Sequence, residues 1–592
     1  MPDLRAIPAT TQQVLLRVLV QIRRHLQSNG LWFIVLAAGI GALAGSASAI
    51  LGHMAHAIQR LLYGFSADMR LSELPHISPW WRLLALPLGG AVLAFIRYIW
   101  PNRTRAPIDV IESNALYGGR IPFRDSLVVT LQTLMSNGFG ASVGLEAAYA
   151  QMGGGAASKI GQWLDLKRAS LRTLVGAGAG SAIAAAFGAP LAGSFYAFEI
   201  VLGGYTPAAL APVAAASLAA VLAATAMNAE PFVVASTSQH SIMLSGYLLY
   251  TALGALCAGI GIAVIRSVAF AEGLVRRIPV PEPWRPVLGG LCLMPLAFLA
   301  PAALSSGHGA MTLYLEQEHT AILVLLGVFA LKVAASVVSL AFGFRGGLFF
   351  ASLFMGALLG MIFAQTVDLF LPQAHLDVTN SALVGMAALA AAVIGGPVCM
   401  SLMILEVTHD FALTAAVVTA ALVSSALVRE LFGYSFSTWR LHLRGEAIRT
   451  ARDIGWVRTH TAANLMRTAN AVLNDHMSVA DLREKVPLGS TSRVLLTDDH
   501  GDYRGLLATA EAYIDSVDPD TPLSQLARQT EVYVRPDMDI AAIQRVFEHF
   551  NVDDLAVVDE NHRLCGVLTE KYVARRYAGA LEQSQREFFG EM

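Results

Sequence analysis

Charged residues are scarce in this sequence. Asp, Glu, Lys and Arg make up 14% of its 592 residues, whereas hydrophobic residues make up 55% and the mean hydropathy is +0.54. Three long stretches, residues 25–59, 231–265 and 286–315, contain none of the four charged types. A helix that spans a bilayer needs about 20 mainly apolar residues. The scarcity of charge excludes a soluble protein and predicts a polytopic membrane protein.

Cysteine is scarce as well, and the four cysteines lack the spacing of a metal site or a disulfide framework. Three of them, Cys257, Cys292 and Cys399, lie in apolar segments, so we predict core positions for these three. The sequence also contains no HExxH motif, which excludes a zinc protease of the type that embeds this motif in a membrane helix.

The composition changes near residue 440, where the chain becomes charged. A basic cluster, Arg17, Arg23 and Arg24, precedes the first apolar run and favours a cytoplasmic N-terminus. The predicted organisation has four parts. They are a cytoplasmic N-terminal helix (1–24), a membrane domain (25–440), a linker (441–455) and a soluble domain (456–592).

The soluble domain is predicted to be duplicated, with copies at about 456–520 and 526–582. Each copy reads as a helix, a strand, a turn with glycine and a second strand, which resembles a pair of CBS modules. The resemblance implies a cytoplasmic location and a site for an adenine nucleotide. Tyr572, however, occupies the position at which the family carries an acidic residue after the second strand. A folded cytoplasmic cap without ligand therefore stays as the alternative.

The membrane domain also repeats itself. Residues 184–200, AAAFGAPLAGSFYAFEI, match residues 391–407, AAVIGGPVCMSLMILEV, without a gap, and GLEAA at 144–148 echoes GLFFA at 347–351. Internal repeats that are interrupted by Gly and Pro at corresponding places indicate a transporter, whose site lies where broken helices meet. The two matched segments therefore predict one shared site.

Glycines precede two predicted helix starts inside the membrane, at Glu146 and near Leu348. The free N–H groups at a helix N-terminus favour an anion. Two such ends that face each other would hold a desolvated anion through partial charges, which bind weakly enough to allow rapid exit. The predicted substrate is a small anion.

Glu146 is the only Asp, Glu, Lys or Arg between Ser126 and Ser158. An ionisable residue in an apolar span is a functional candidate. A carboxylate at the mouth of an anion site can occupy that site and block it, so we predict that Glu146 is a gate. The alternative is a glutamate that only helps to cap its helix.

These segments resemble the CLC family of chloride channels and proton-coupled chloride transporters, most specifically at LVGAGAGSAIAAAFGAPLAGSFYAFE, residues 174–199. The resemblance implies an all-α membrane domain of two inverted repeats with broken helices, a chloride pore and a homodimer. It implies that Glu146, in GLEAA, is the gating glutamate. It also implies an anion filter built from Gly144, Leu145, Gly347, Leu348, Phe349 and Phe350.

Three positions depart from the family pattern. Thr104, in TRAPI, is the nearest counterpart of the filter serine, and Ser437 takes the position of the pore tyrosine, with Tyr434 three residues earlier. Ile200 stands where proton-coupled members carry the internal proton acceptor. An apolar residue cannot relay protons, which favours a passive chloride channel gated by Glu146 through voltage or pH. A proton/chloride antiporter is the alternative, followed by a fluoride-selective transporter and a non-transport scaffold.

The remaining expectations concern the partners and the location of the protein. A magnesium channel does not fit, because its pore would need acidic residues. Glu199 and Glu406 are interpreted as structural, each hydrogen-bonded to backbone at a helix end. The alanine-rich segment 207–227 could pack against a second subunit, since small residues allow close approach. We expect a bacterial inner-membrane protein with no enzymatic activity, no required cofactor, no metal and no nucleic-acid partner.

Overall fold

The computed structural model describes residues 30–100, 107–229, 244–317, 320–374, 376–443, 461–469, 471–514, 516–550 and 552–576. The chain divides into two compact units, one up to residue 453 and one from residue 454 onwards. The first unit is helical, and the second contains two small β-sheets. The predicted N-terminal helix (1–24) lies outside the described residues, as does most of the predicted linker.

The membrane unit consists of helices of very different lengths. Eight apolar segments among the described residues are long enough to cross a bilayer. In chain order the helices are α1 (Gly30–Tyr63), α2 (Ala85–Ile99), α3 (Val110–Leu116), α4 (Phe123–Gly138), α5 (Glu146–Trp163), α6 (Arg168–Phe187), α7 (Pro190–Tyr196), α8 (Pro207–Ala226), α9 (Leu244–Arg276), α10 (Arg285–Leu299), α11 (His308–Glu316), α12 (Ile322–Ala341), α13 (Phe349–Phe370), α14 (Val378–Ile394), α15 (Pro397–Thr408), α16 (Phe411–Leu431) and α17 (Phe436–Leu443).

The matched segments of the two repeats fold alike. Helix α6 ends at Gly188 (φ +66°), and helix α14 ends at Gly395 (φ +90°). A left-handed backbone conformation at this position is adopted easily only by glycine, and this conformation stops the helix. Pro190 and Pro397 then begin helices α7 and α15, because proline at the first helical position lacks only an N–H that has no partner there. The internal repeat predicted from residues 184–200 and 391–407 is therefore present in the backbone.

The alanine-rich segment packs inside the subunit. Its helix α8 approaches α1 so closely at Ala216 and Ala220 that Gly41 and Gly45 of α1 have no room for a Cβ atom. The opposite side of α8 exposes Leu210, Leu218 and Leu222. Small residues of α8 thus serve an intramolecular contact, and the exposed face combines these leucines with Ala208, Ala211 and Ala214. Cys292 differs from the prediction, since it is exposed on α10, whereas Cys257 and Cys399 are buried.

The C-terminal unit contains two three-stranded sheets of the same topology. The first sheet consists of β1 (Val472–Asn474), β2 (Arg493–Thr497) and β3 (Tyr503–Ala508), and the second of β4 (Tyr533–Val534), β5 (Asp554–Val558) and β6 (Leu564–Thr569). In each sheet the central strand pairs parallel with the first strand and antiparallel with the third. Its short helices are α18 (Ala462–Leu465), α19 (Val479–Lys485), α20 (Thr509–Ala512) and α21 (Ile540–Phe550). This is the fold of a CBS pair.

Each module of this pair is completed by a segment that leads into the other copy. Arg467, ahead of the first module, pairs with Val567 in β6 of the second, and Arg528, ahead of the second, pairs with Leu506 in β3 of the first. These exchanged pairings make the two copies one folding unit. The helical periodicity of residues 539–550 predicts one apolar face made of Ile540, Ile543, Phe547 and Phe550. The first three are buried in α21, whereas Phe550 is 49% exposed at the helix end.

Candidate functional site: a paired helix start inside the membrane unit

Two glycine-broken segments pair with each other at the centre of the membrane unit. Gly140 (φ +93°) follows α4 and Gly343 (φ +91°) follows α12, so each segment leaves its helix through a glycine in the left-handed conformation. The segments then run antiparallel. The N–H of Gly144 donates to the carbonyl of Gly347 at 2.9 Å, and the N–H of Gly347 donates to the carbonyl of Gly144 at 3.3 Å.

Two buried serines hold these segments in a reciprocal manner. The N–H of Ser142 donates to Ser339 Oγ on α12 at 3.0 Å, and the N–H of Arg345 donates to Ser136 Oγ on α4 at 2.9 Å. Each helix therefore anchors the broken segment of the other repeat. This exchange relates the repeats by an approximate two-fold axis and brings the starts of α5 and α13 together.

Glu146 is the first residue of α5, as predicted, and it is only 4% exposed. Its carboxylate is stabilised by the backbone N–H groups of Glu146 and Phe350, which belong to the first turns of α5 and α13. One oxygen, Oε2, is buried and has no hydrogen-bond partner among the described residues. The carboxylate thus lies where two helix N-termini meet, a place that favours negative charge.

The predicted filter residues occupy these two helix starts. Leu145 and Leu348 are the residues that precede α5 and α13, and both are buried. Phe349 and Phe350 form the first turn of α13, and both rings pack against Phe187 at centroid distances of 5.1 and 6.0 Å. The structure therefore brings together the residues predicted for the filter in the two repeats.

Lys332 was missed by the sequence reasoning. It lies on α12, is completely buried and donates to the carbonyls of Ser305 and Ala303 at 2.8 and 3.3 Å. It also interacts electrostatically with Glu146. The signal was available, because Lys332 is the only charged residue of α12 and an ionisable residue in an apolar span is a functional candidate. That partial charges at the helix starts hold the anion stays a prediction, to which the structure adds a buried cation on α12.

The two predicted side-chain donors are not both within the described part of the chain. Thr104 lies outside the described residues. Ser437 is half-buried on α17, where the hydroxyls of Ser435 and Thr438 hydrogen-bond to each other at 3.1 Å. Tyr434 packs against Trp439 at a ring-centroid distance of 5.3 Å.

Glu199 and Glu406 accept hydrogen bonds at helix starts, and each does so for the other repeat. Glu199 accepts from the N–H groups at the start of α15, with the N–H of Cys399 at 2.8 Å. Glu406 accepts from the N–H groups at the start of α7, with the N–H of Leu191 at 2.7 Å. Ile200, next to Glu199, is 7% exposed.

Tyr572 in the C-terminal unit is surrounded by arginine side chains, and it offers different contacts from the acidic residue that CBS modules carry at this position. The guanidinium of Arg467 lies 4.2 Å from the centre of its ring, and the Nε of Arg576 donates to its hydroxyl at 3.2 Å. The hydrogen bond from Arg576 lowers the pKa of Tyr572. The environment is cationic, whereas an acidic residue would provide acceptors for sugar hydroxyls.

The family model described as "voltage gated chloride channel" matches residues 88–429, which is more than half of the chain. This chain belongs to that family. The match includes both glycine-broken segments and Glu146. A second model, the CBS domain, matches residues 523–579 in the C-terminal unit.

Relatives and solved structures agree with this assignment. A voltage-gated ClC-type chloride channel, ClcB, of Escherichia coli O81 (strain ED1a) is 28% identical over 415 residues, which are 69% of this chain and 98% of the relative. The structure of a slow cyanobacterial Cl⁻/H⁺ antiporter is 21% identical with a TM-score of 0.61 and covers 70% of this chain and 97% of its own. The structure of a eukaryotic CLC transporter is 17% identical with a TM-score of 0.57, and the match covers 91% of this chain and 98% of the transporter. These structures support the fold.

Proposed function

We propose that this CLC protein conducts chloride passively across a bacterial inner membrane and that Glu146 is its gate. One observation carries the proposal. The Glu146 carboxylate occupies the place where the N-termini of α5 and α13 meet, and its Oε2 has no hydrogen-bond partner within the described chain. Chloride and a carboxylate are both anions, so they compete for the same N–H groups.

The arrangement argues against a glutamate that merely caps its own helix. The α5 start has no hydrogen bond from a side-chain cap, and the residue before it is Leu145. Glu199 and Glu406 show what a cap looks like in this molecule, since each accepts from two consecutive N–H groups. Glu146 instead divides its contacts between its own helix start and that of α13, and its Oε2 has no hydrogen-bond partner among the described residues. A carboxylate with a free oxygen can be displaced by an incoming anion or neutralised by a proton.

Ile200 supports passive conduction over coupled exchange. It is buried beside the Glu199 cap, and an apolar side chain neither accepts nor releases a proton. A route for protons through this position is therefore not available. Chloride should then move down its gradient without pumping protons.

A proton/chloride antiporter is the second candidate, because another set of titratable groups lies near the gate. Tyr196 interacts electrostatically with Glu146 and also with Asp109, at the start of α3. A proton that reached Asp109 would bypass Ile200. This observation keeps antiport as a defined alternative with its own candidate residue.

The proposal is tested in chloride-loaded liposomes that contain the purified protein, with chloride efflux and external pH recorded together. Chloride efflux without proton pumping is the expected result. Glu146→Gln removes the negative charge that competes with chloride, so the rate of efflux should rise about tenfold or more. A tenfold change corresponds to about 1.4 kcal/mol of free energy. Replacement of chloride by fluoride tests the selectivity in the same assay.

Glu406→Gln is the matched control, because it makes the same substitution at a glutamate that caps a helix. It should leave the efflux rate within about twofold of the wild type. Proton movement against its gradient would establish antiport and refute the channel. Equal efflux from wild type and Glu146→Gln would refute the gate, and absence of efflux from both would favour a non-transport scaffold.

We further propose a homodimer with one pore in each subunit and a cytoplasmic C-terminal unit. The exposed leucines of α8 offer an apolar surface that a second subunit could cover. We propose the C-terminal CBS pair as a regulatory cap rather than a nucleotide sensor, because Tyr572 and two guanidiniums occupy the place of the acidic residue. Chemical cross-linking in liposomes and titration of the protein with ATP test these two points.

A further inference from the structure

Three segments of the membrane unit meet where α5 ends and α6 begins. The loop between α3 and α4 packs against both helices. Near the end of α5, the hydroxyl of Ser158 donates to the carbonyl of Gly119 at 2.7 Å and accepts from the N–H of Ile121 at 2.8 Å. At the start of α6, the side chain of Arg168 lies over Gly118, where a Cβ atom would be only 2.8 Å from its Nε. The loop and the two helix ends therefore form one surface.

This surface lies at a face of the membrane. Helix α5 begins at the paired helix starts, and its 18 residues cover about 27 Å at 1.5 Å per residue. The hydrocarbon core is about 30 Å thick, so a helix that starts inside it reaches the headgroup region at its end. Trp163 at the end of α5 and Tyr117 at the start of the loop are both exposed there. Trp and Tyr are enriched at the membrane–water interface, which agrees with this location.

Basic residues dominate the surface. Residues 117–124 and 159–172 contain six Lys or Arg and one Asp or Glu, whereas the whole chain has 41 and 43. The excess of positive charge is therefore local. Five of the six basic side chains are exposed, and together with Trp163 they are called the basic patch below: Arg120, Arg124, Lys159, Lys167 and Arg168.

Most of these charges have no counter-ion in the protein. Across the part of the chain that the structure describes, no ion pair is formed by Arg120, Arg124, Lys159 or Arg168. The carboxylate of Asp125, next to the loop, accepts from the N–H of Ile108 at 3.2 Å. The exposed guanidiniums are thus available to an anion from outside the protein, and their forked donors match a phosphate group.

We propose that the basic patch binds the phosphate headgroups of anionic membrane phospholipids. Its charge attracts an anionic leaflet, and its aromatic side chains place the charge at the level of the headgroups. A soluble anionic partner would make no use of an indole at this depth. A lipid bound here would contact the ends of α5 and α6, the two helices that run from this face towards the paired helix starts.

The test measures lipid binding by the full chain in detergent with native mass spectrometry. The protein is titrated with dioleoylphosphatidylglycerol or dioleoylphosphatidylcholine, and the wild type should bind the anionic lipid at least tenfold more tightly. Arg120→Gln/Arg168→Gln should weaken binding of phosphatidylglycerol about thirtyfold, because each basic side chain near an anionic surface contributes about fivefold. Binding of phosphatidylcholine should not change.

Two further variants are controls for this double substitution. Arg276→Gln/Arg277→Gln removes two exposed arginines at the end of α9, which is the same change in charge at another place, and should alter phosphatidylglycerol binding by less than about twofold. Arg120→Lys/Arg168→Lys keeps both charges of the patch and should bind within about threefold of the wild type. Equal weakening by both glutamine pairs would show that net charge binds the lipid, and it would overturn the inference.

Measurements on the wild type decide the question if the substituted chains do not fold. An increase in ammonium acetate from 0.1 to 1 M shortens the Debye length from about 10 to about 3 Å, so the preference for phosphatidylglycerol should fall. Equal affinity for the two lipids, or a preference that salt leaves unchanged, would overturn the inference. Displacement of the bound lipid by inorganic phosphate would indicate a site for a small anion and would also overturn it. Loss of the proposed chloride conduction would leave the lipid preference untouched, so the two proposals fail separately.

Discussion

The two repeats of the membrane unit share a scaffold and differ in chemistry. Both leave a helix through a glycine with positive φ, both are held by a serine of the other repeat, and the paired Gly144 and Gly347 exchange hydrogen bonds. Two residues after these glycines, the first repeat has Glu146 and the second has Phe349. The duplication therefore builds the site, and a substitution in one copy gives it a gate.

Helices α4 and α12, which precede the two glycine-broken segments, also differ in charge, and here the charged residue belongs to the second repeat. In α4, seventeen residues before the helix start at Glu146, the residue is Val129, and in α12, seventeen residues before the start at Phe349, it is Lys332. The carboxylate is thus contributed by one repeat and the cation by the other. The two charges interact electrostatically although they belong to different repeats.

The largest effect is expected from Lys332→Met, which makes α12 resemble α4. The substitution leaves the carbonyls of Ser305 and Ala303 without their donor, at a cost of roughly 1–3 kcal/mol for each unsatisfied group. Loss of the nearby charge should also weaken chloride binding about tenfold. Thermal unfolding in detergent and chloride calorimetry measure the two effects.

Val129→Met is the matched control for Lys332→Met, because it changes a buried residue at the corresponding place of the first repeat. It should leave chloride binding unchanged. Equal chloride affinity in Lys332→Met and the wild type would show that the cation is only structural.

A smaller effect is expected from the exchanged caps. Glu199→Ala and Glu406→Ala each remove the acceptor of two helix N–H groups and should each lower the free energy of unfolding by about 1–2 kcal/mol. Glu199→Ala should lower the free energy of unfolding more than Glu406→Ala does, since Glu199 also accepts a hydrogen bond from the Tyr205 hydroxyl at 3.0 Å. Melting temperatures in detergent provide the measurement, and a smaller loss for Glu199→Ala would contradict the proposed order.

The smallest effect is expected from the difference between Gly140→Ala and Gly343→Ala. Both variants strain a left-handed residue by roughly 1–2 kcal/mol. At Gly140 the new Cβ would also lie 2.5 Å from the Tyr63 hydroxyl, which is fixed by its hydrogen bond to Phe139, whereas at Gly343 the nearest atom is 3.1 Å away on the longer side chain of Arg97. Gly140→Ala should therefore melt at the lower temperature, and equal melting temperatures would show that Tyr63 moves aside.

Much of the architecture could be predicted from sequence because it depends on local chemistry. Glycines stop helices and prolines start them, so the breaks before Glu146 and Leu348 were visible as patterns. The scarcity of charged residues predicted the membrane unit, and the repeated helix–strand pattern predicted the CBS pair. The periodicity places Phe550 on the apolar face of α21 together with Phe547, but only Phe547 is buried, because the burial of a helix end depends on what packs against it.

The partners of the polar groups could not be predicted in this way. Glu199 and Glu406 were expected at helix ends, and the finding is that each caps a helix of the other repeat. Lys332 lies in an apolar helix whose composition shows the anomaly but not its neighbour.

The sequence by itself determined the membrane unit, the duplication, the helix breaks and the carboxylate at the start of α5, because these follow from composition and from residues close together in the chain. Only the tertiary structure decided that Glu146 meets the start of α13 and that the buried Lys332 of the other repeat interacts with it electrostatically. These interactions join residues about 190 to 200 positions apart. They arise because two folded repeats bury their broken ends against each other.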